Sequence, residues 1–264
     1  MIKFAAFAGL CLSLLSTSAH AQSDPDAPSK REPRRYRIAL GIQLVPSFAG
    51  ADRTSIKPLW DFNSARGDDP FPFEAADEST GFTVLEAGRV EFGPALSFEN
   101  GRNYRVPGIG KVGNSFEVGG FAQTMIRPDL RARIEIRRGL GGHEAWVGVA
   151  SVDYIARKGD SRLFSIGPRV TLGDARYQRS YFGVSPAEAA ATGLAAYRPD
   201  AGIHAIGANI GYLHQLSDRW TLHSYARYDR LTGDAADSPL VRAHGSRDQF
   251  STGIGIGYTF ARRR

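Results

Sequence analysis

Along most of the chain the apolar residues recur at every second position, the spacing that gathers side chains on one face of an extended strand. Tyr36, Ile38, Leu40, Ile42 and Leu44 alternate with Arg37, Ala39, Gly41 and Gln43. Leu130, Ala132, Ile134 and Ile136 alternate with Arg131, Arg133, Glu135 and Arg137. Phe164, Ile166, Pro168, Val170 and Leu172 alternate with Ser165, Gly167, Arg169 and Thr171. The period continues from Trp220 to Asp229, with Arg227 on the polar side, and from Phe250 to Phe260. A helix would scatter these charges around its circumference. The pattern predicts strands near 36–46, 55–62, 83–99, 115–126, 129–138, 144–157, 162–173, 202–216, 219–230 and 248–260. Most exceed the usual soluble strand of about 5 to 6 residues and suit a tilted crossing of a bilayer.

The connections alternate in length. Arg127-Pro128-Asp129, Lys158-Gly159-Asp160 and Ser217-Asp218-Arg219 are tight turns, whereas 100–114, 174–201 and 231–247 are long. This predicts an all-β, antiparallel transmembrane β-barrel of about ten strands, with periplasmic turns and extracellular loops. Segment 63–82, which contains Asp68-Asp69-Pro70-Phe71-Pro72, falls on the short-turn side. If it holds two further strands, the count becomes about twelve. The stretch from Thr83 to Phe98 has a second point of division at Ala87-Gly88.

Alternation by itself also fits a soluble β-sandwich or a lipocalin-like barrel. The polar face argues against both, because Arg131, Arg133, Glu135, Arg137, Arg169, Arg227 and Asp229 suit a wet or salt-bridged lumen better than a small soluble core. Tyr36, Trp60, Trp146, Tyr154, Trp220, Tyr228, Tyr258 and Phe260 are expected near strand ends, as interfacial girdles. One short helix is expected in the longest loop: Ser185 as N-cap, Pro186 at the first position, Glu188 at the third and Gly193 at the end.

The N-terminus adds a second signal of export. Lys3 precedes an apolar run from Phe4 to Leu15, too short to span a bilayer, and Ser18-Ala19-His20-Ala21 has small residues at the cleavage positions. Residues 1–21 therefore read as a signal peptide, 22–35 as a flexible periplasmic arm carrying Arg31, Arg34 and Arg35, 36–260 as the barrel and 261–264 as a basic tail. The single cysteine, Cys11, lies in the signal peptide behind Leu10, which is a poor lipobox residue. The mature chain is thus expected to have neither disulfides nor cysteine-based metal sites.

Mean hydropathy is −0.28, which would suggest a soluble protein if a strand did not dilute its lipid face with a polar one. The formal charge of +6 falls by one with Lys3, and the basic residues are spread among acidic ones. No basic face or aromatic RNA-binding motif points to nucleic acid. No catalytic, metal or cofactor constellation emerges. Gly253, Gly255 and Gly257 repeat at period two with no helix after them, unlike a dinucleotide loop; they are expected to thin the strand where neighbouring side chains cross the lumen. His223 and Ser224 point to opposite faces of a strand, and His244-Gly245-Ser246 lies in a polar loop. His143, His204 and His214 lack partners at metal spacing, and Asp229, Asp234 and Asp237 lack that of a calcium loop.

Two stretches are more specific. Tyr177-Gln178-Arg179-Ser180-Tyr181-Phe182-Gly183-Val184-Ser185, and the run through Arg230, Leu231, Gly233, Asp234, Asp237, Ser238, Pro239 and Val241, resemble signature segments of the MipA/OmpV family of MltA-interacting outer-membrane proteins. Pro46-Ser47-Phe48-Ala49-Gly50, Gly93-Pro94 and Gly101-Arg102 match earlier landmarks in the same order, so the resemblance covers essentially the whole mature chain. Locally, Asp234 and Asp237 are expected to make side-chain to backbone turns, Gly233 a tight bend, and Ser238-Pro239 a break from helix, together giving a rigid external loop. Tyr181 and Phe182 are expected to fix the longest loop to the barrel.

The resemblance implies a non-enzymatic scaffold in the Gram-negative outer membrane. It would hold a murein lytic transglycosylase and a bifunctional murein synthase (a penicillin-binding protein) together, with membrane lipid around it and no cofactor. No motif carries the partner-binding residues; the periplasmic turns and the arm 22–35 are geometrically able to reach such enzymes. The alternative is a narrow porin-like passage with an Arg-rich lumen. The chain departs from the usual barrel pattern at its end, where Ala261-Arg262-Arg263-Arg264 follows the aromatic Phe260.

Overall fold

The computed structural model describes residues 33–262. The predicted signal peptide and most of the predicted arm lie outside the described residues. Ten long strands and two short ones form a single antiparallel sheet. They are β1 (Arg34–Pro46), β2 (Thr54–Arg66), β3 (Thr80–Gly81), β4 (Leu85–Ala87), β5 (Val90–Glu99), β6 (Ser115–Arg127), β7 (Leu130–Leu140), β8 (Trp146–Lys158), β9 (Arg162–Gly173), β10 (Gly202–Gln215), β11 (Trp220–Leu231) and β12 (Asp248–Arg262).

From β5 to β12 each long strand pairs with the next, and β1 pairs both β2 and β12, so the sheet curls. The ladder runs from β2 through β1 and β12 down to β5 and β3. Across the seam between β2 and the segment after β5, contacts are made by side chains: Lys57 donates to Asn100, and Arg53 Nη2 donates to the Asn103 carbonyl at 2.8 Å. Pro58 lies on β2, a strand with one ladder neighbour, where its missing donor is tolerated.

Exposure is the inverse of a soluble protein. Leu40, Ile42, Ile134, Ile136 and Ile254 point outward and are 52 to 65% exposed, whereas Arg131, Arg169 and Asp153 point inward and are at most 2% exposed. A continuous apolar outer face around a charged interior is stable only against lipid. Paired aromatics mark the turn end of the outer face: Tyr36 stacks on Phe62 and Phe260 at 6.1 and 5.6 Å, and Trp220 meets Tyr258 edge-on at 4.8 Å. Tyr228 and Phe250, 4.8 Å apart, mark the loop end. Trp60 departs from its expected girdle position, sitting in the middle of β2 opposite Leu40.

Several boundaries move for identifiable reasons. β1 begins at Arg34, not Tyr36, because Arg35 is tied down by the Gly67 and Asp69 carbonyls and by Asp160. β12 runs to Arg262, since Arg35 and Arg34 supply backbone partners to Ala261 and Arg262. The strand expected over 83–99 divides at Ala87-Gly88: Gly88, at φ +64°, starts a two-residue turn that pairs β4 with β5. Segment 63–82 is no extra transmembrane hairpin. Its first residues extend β2, its last form β3, and residues between them fold into the lumen.

The glycine repeat in β12 works by close approach. A Cβ on Gly253 would lie 2.5 Å from the Tyr225 ring. Tyr225 crosses β12 at that point and donates to Gln43 Oε1 on β1 at 2.5 Å.

Candidate functional site: the capped and ion-paired lumen

The long loops form a lid. Loop 174–201 contains α1 (Ala175–Phe182) and α2 (Pro186–Thr192), and loop 232–247 contains α3 (Gly233–Asp237) and α4 (Pro239–His244). The expected helix is α2: Ser185 and Glu188 form a reciprocal capping box, Pro186 opens it, and Gly193 closes it at φ +75°. The other three helices were not anticipated. In α1, the Asp174 carboxylate accepts from Tyr177 N at 2.7 Å and from Trp146 N at 3.0 Å, so a single cap residue joins the helix to β8.

Tyr177, Tyr181 and Phe182 of α1, Leu231 at the end of β11, and Leu240 and Val241 of α4 pack with Phe48, Tyr104 and Val184 into a buried apolar cluster. Polar bonds lock it. Tyr181 donates to the Asn100 carbonyl at 2.7 Å, and Ser238 Oγ donates to the Phe182 carbonyl at 2.7 Å while capping α4. Arg102, 4% exposed, donates to the Gly183 carbonyl at 3.1 Å and to Glu188 at 3.2 Å. Gly50, at φ +89°, presents its carbonyl to the Tyr104 hydroxyl at 3.3 Å.

The motif residues from both ends of the chain thus meet in the lid. Within the second motif, Gly233 makes the bend at φ +52° and Pro239 opens α4. Asp234 and Asp237 do not make the expected local turns. Asp234 accepts from the Asp200 amide of the neighbouring loop at 2.8 Å, and Asp237 pairs with Arg242 at 2.6 Å. Arg230 faces outward and pairs with Asp248 at 2.7 Å. Ser246 of the His244-Gly245-Ser246 run holds a turn with Asp248.

Burial alone would raise the Glu188 carboxyl, but hydrogen bonds from the Ser185 and Gly110 amides, together with Arg102, hold it below the usual glutamate range. Its contribution to the lid is therefore complete above the unfolded glutamate value and lost as pH falls through the depressed folded value. Glu188→Gln is expected to loosen loops 100–114 and 174–201 by about 1–2 kcal/mol at neutral pH. Faster proteolytic cutting of those two loops, with a smaller difference from wild type in acid, is the expected readout.

Below the lid, the lumen holds a continuous ion-pair network. Arg137 on β7 joins Glu117 and Glu135, each at 2.9 Å, and Glu117 also meets His143 at 3.1 Å. Arg133 joins Glu135 at 3.4 Å and lies over the Phe121 ring at 3.7 Å. Arg131 pairs with Glu78 and, at 2.9 Å, with Asp153. Arg169 pairs with Asp77 at 2.7 Å and Asp153 at 2.8 Å, and Arg227 with Asp77 at 3.2 Å and Asp229 at 2.6 Å. The seven charged residues read from alternation are all in this network.

Two of its six carboxylates, Asp77 and Glu78, come from segment 63–82, where two further strands were the alternative expectation. From the turn end, residues 71–79 enter the lumen as a plug. Phe71, 2% exposed, lies under Arg37 at 4.5 Å and is held through its amide by Asp160 at 3.0 Å. Phe73 lies under Arg131 at 4.4 Å, and Asp77 and Glu78 then meet the arginines named above.

The family model described as MltA-interacting protein MipA matches residues 38–260. The chain belongs to the MipA family. It sits in the outer membrane of a Gram-negative bacterium, as its lipid-facing strands require. No curated protein matches it. Similar solved structures include the KdgM porin, at 11% identity over 86% of this chain and 99% of that one, with a TM-score of 0.38. An outer membrane channel from Pseudomonas putida F1 is 8% identical over 90% of this chain and 100% of its own, with a TM-score of 0.43. The NanC porin is 8% identical over 84% and 98%, with a TM-score of 0.41.

Proposed function

We propose that this MipA-family protein is a non-enzymatic outer-membrane scaffold that docks a murein lytic transglycosylase at its turn end and, with it, a bifunctional murein synthase. Membership of a family named for interaction with MltA supports the first partner. The observation that carries the choice of scaffold over passage is the lumen, where the arginines are matched by wall and plug carboxylates beneath an apolar lid. A barrel of about ten strands has its interior filled by side chains, and aqueous channels are typical of roughly 16 or more. The turn end is the docking face because the start of β1 at Arg34, the end of β12 at Arg262 and the short turns lie there, on the side of the murein layer.

The test is capture of the transglycosylase from solution by the purified protein in detergent. Loss of capture on deleting residues 22–35, or on replacing Arg127-Pro128-Asp129 with glycine and serine, is the expected result. Undiminished capture by the two changes combined would remove the turn end as the docking face.

A further inference from the structure

Two cations at the turn end, Lys158 and Arg162, are unlike the paired arginines of the lumen network. Lys158 on β8 is the register partner of Arg162 on β9, and Arg162 is the partner of His214 on β10. The three form one row across three adjacent strands at the turn end. On β8 to β10 the same parity gives outward-facing Tyr154, Phe164 and Tyr212, which are 38 to 44% exposed. The row therefore faces lipid, with Phe164 and Tyr212 one step deeper in the membrane.

Among the described residues neither Lys158 nor Arg162 has a carboxylate within ion-pair distance, whereas Arg131, Arg137 and Arg169 of the lumen do. His214 stacks on Tyr212 at 6.1 Å, and its buried Nδ1 has no hydrogen-bond partner among the described residues. Row and adjoining turns line an open depression of about 400 Å³, together with Ser161, Ser217 and one carboxylate, Asp218. Leu216, 56% exposed, also lines it.

We propose that this depression binds the phosphodiester headgroup of an anionic inner-leaflet phospholipid. Lys158 and Arg162 supply the charge, the free His214 nitrogen and Ser161 supply hydrogen bonds, and Tyr212, Phe164 and Leu216 receive the upper acyl chains. The position selects the ligand: the turn end meets the glycerophospholipid leaflet, and Lys158, Arg162 and His214 share the lipid-facing parity of their strands. The interfacial aromatic row above two uncompensated cations matches the depth at which a headgroup phosphate lies.

The test uses the full mature chain, refolded in detergent and titrated with short-chain phosphatidylglycerol or phosphatidylcholine, with bound lipid counted by native mass spectrometry. Wild type is expected to prefer phosphatidylglycerol by about tenfold or more, and Lys158→Ala/Arg162→Ala to fall to near parity. Arg219→Ala removes a turn-end cation outside the row and is expected to keep the preference. Heat-modified gel mobility establishes that each variant is folded. Equal retention of phosphatidylglycerol by wild type and the double variant would overturn the site. Complete displacement of the lipid by millimolar inorganic phosphate would overturn the headgroup assignment in favour of a simple anion site.

Discussion

Arg169→Leu is expected to lower the unfolding free energy of the refolded barrel by about 3 kcal/mol, because it strands buried carboxylates in the lumen. Arg169 is 1% exposed and makes a two-pronged bond to Asp77, at 2.7 and 3.1 Å, while also reaching Asp153 at 2.8 Å. The loss lies at the lower end of the usual range for breaking a buried pair because neither acid is wholly abandoned. Asp77 keeps Arg227, and Asp153 keeps Arg131. Equilibrium urea unfolding in detergent, followed by tryptophan fluorescence, measures it. Arg169→Leu/Asp77→Leu should recover most of the loss, since Arg227 then retains Asp229 and Asp153 retains Arg131. A single variant within about 0.5 kcal/mol of wild type would mean that the network is solvated and contributes little.

The strands were readable because each obeys a local rule. Lipid on one face and a polar lumen on the other impose a period of two, and a span of bilayer fixes the length. Helix α2 was readable for the same reason, as Ser185, Pro186, Glu188 and Gly193 encode both ends within a few residues. The plug obeys no period. Its conformation is set by Arg35, Arg37, Arg131, Arg157 and Arg169, which reach it from four strands, so no window of sequence around Phe71 contains the cause.

A balance of charge did contain it. The residues read as lumen-facing are five arginines against Glu135 and Asp229, and such an excess of one sign cannot be held in a confined, weakly dielectric interior. Acidic partners had to come from somewhere, and Glu74, Asp77 and Glu78 form the dense acidic stretch on the one turn-side connection that was too long. The lid was half readable. Its motif residues were found, but their convergence joins residues far apart in sequence, as Gly50 with Gln249 does at 3.2 Å.

The plug also supports the most drastic expected change of behaviour. Replacing residues 71–78 with a glycine-serine segment of equal length removes Asp77 and Glu78 from Arg169, Arg227, Arg131 and Arg133. It also removes Phe71 from beneath Arg37 and Phe73 from beneath Arg131. The strands keep their ladders, since none of these residues belongs to one. What remains is a lumen wall in which Arg131, Arg133, Arg169 and Arg227 have each lost a carboxylate partner, so its field shifts toward admitting anions over cations. Planar-bilayer recordings are therefore expected to be silent for wild type and to give anion-selective openings for the variant. The result separates the two seals on the barrel. Openings in the variant assign the block to the plug, whereas continued silence assigns it to the lid, where Tyr181, Phe182 and Leu240, each fully buried, would then be the barrier. In that case Tyr181→Ala, which removes the ring and its bond to the Asn100 carbonyl, is the change that should open the plug-free barrel.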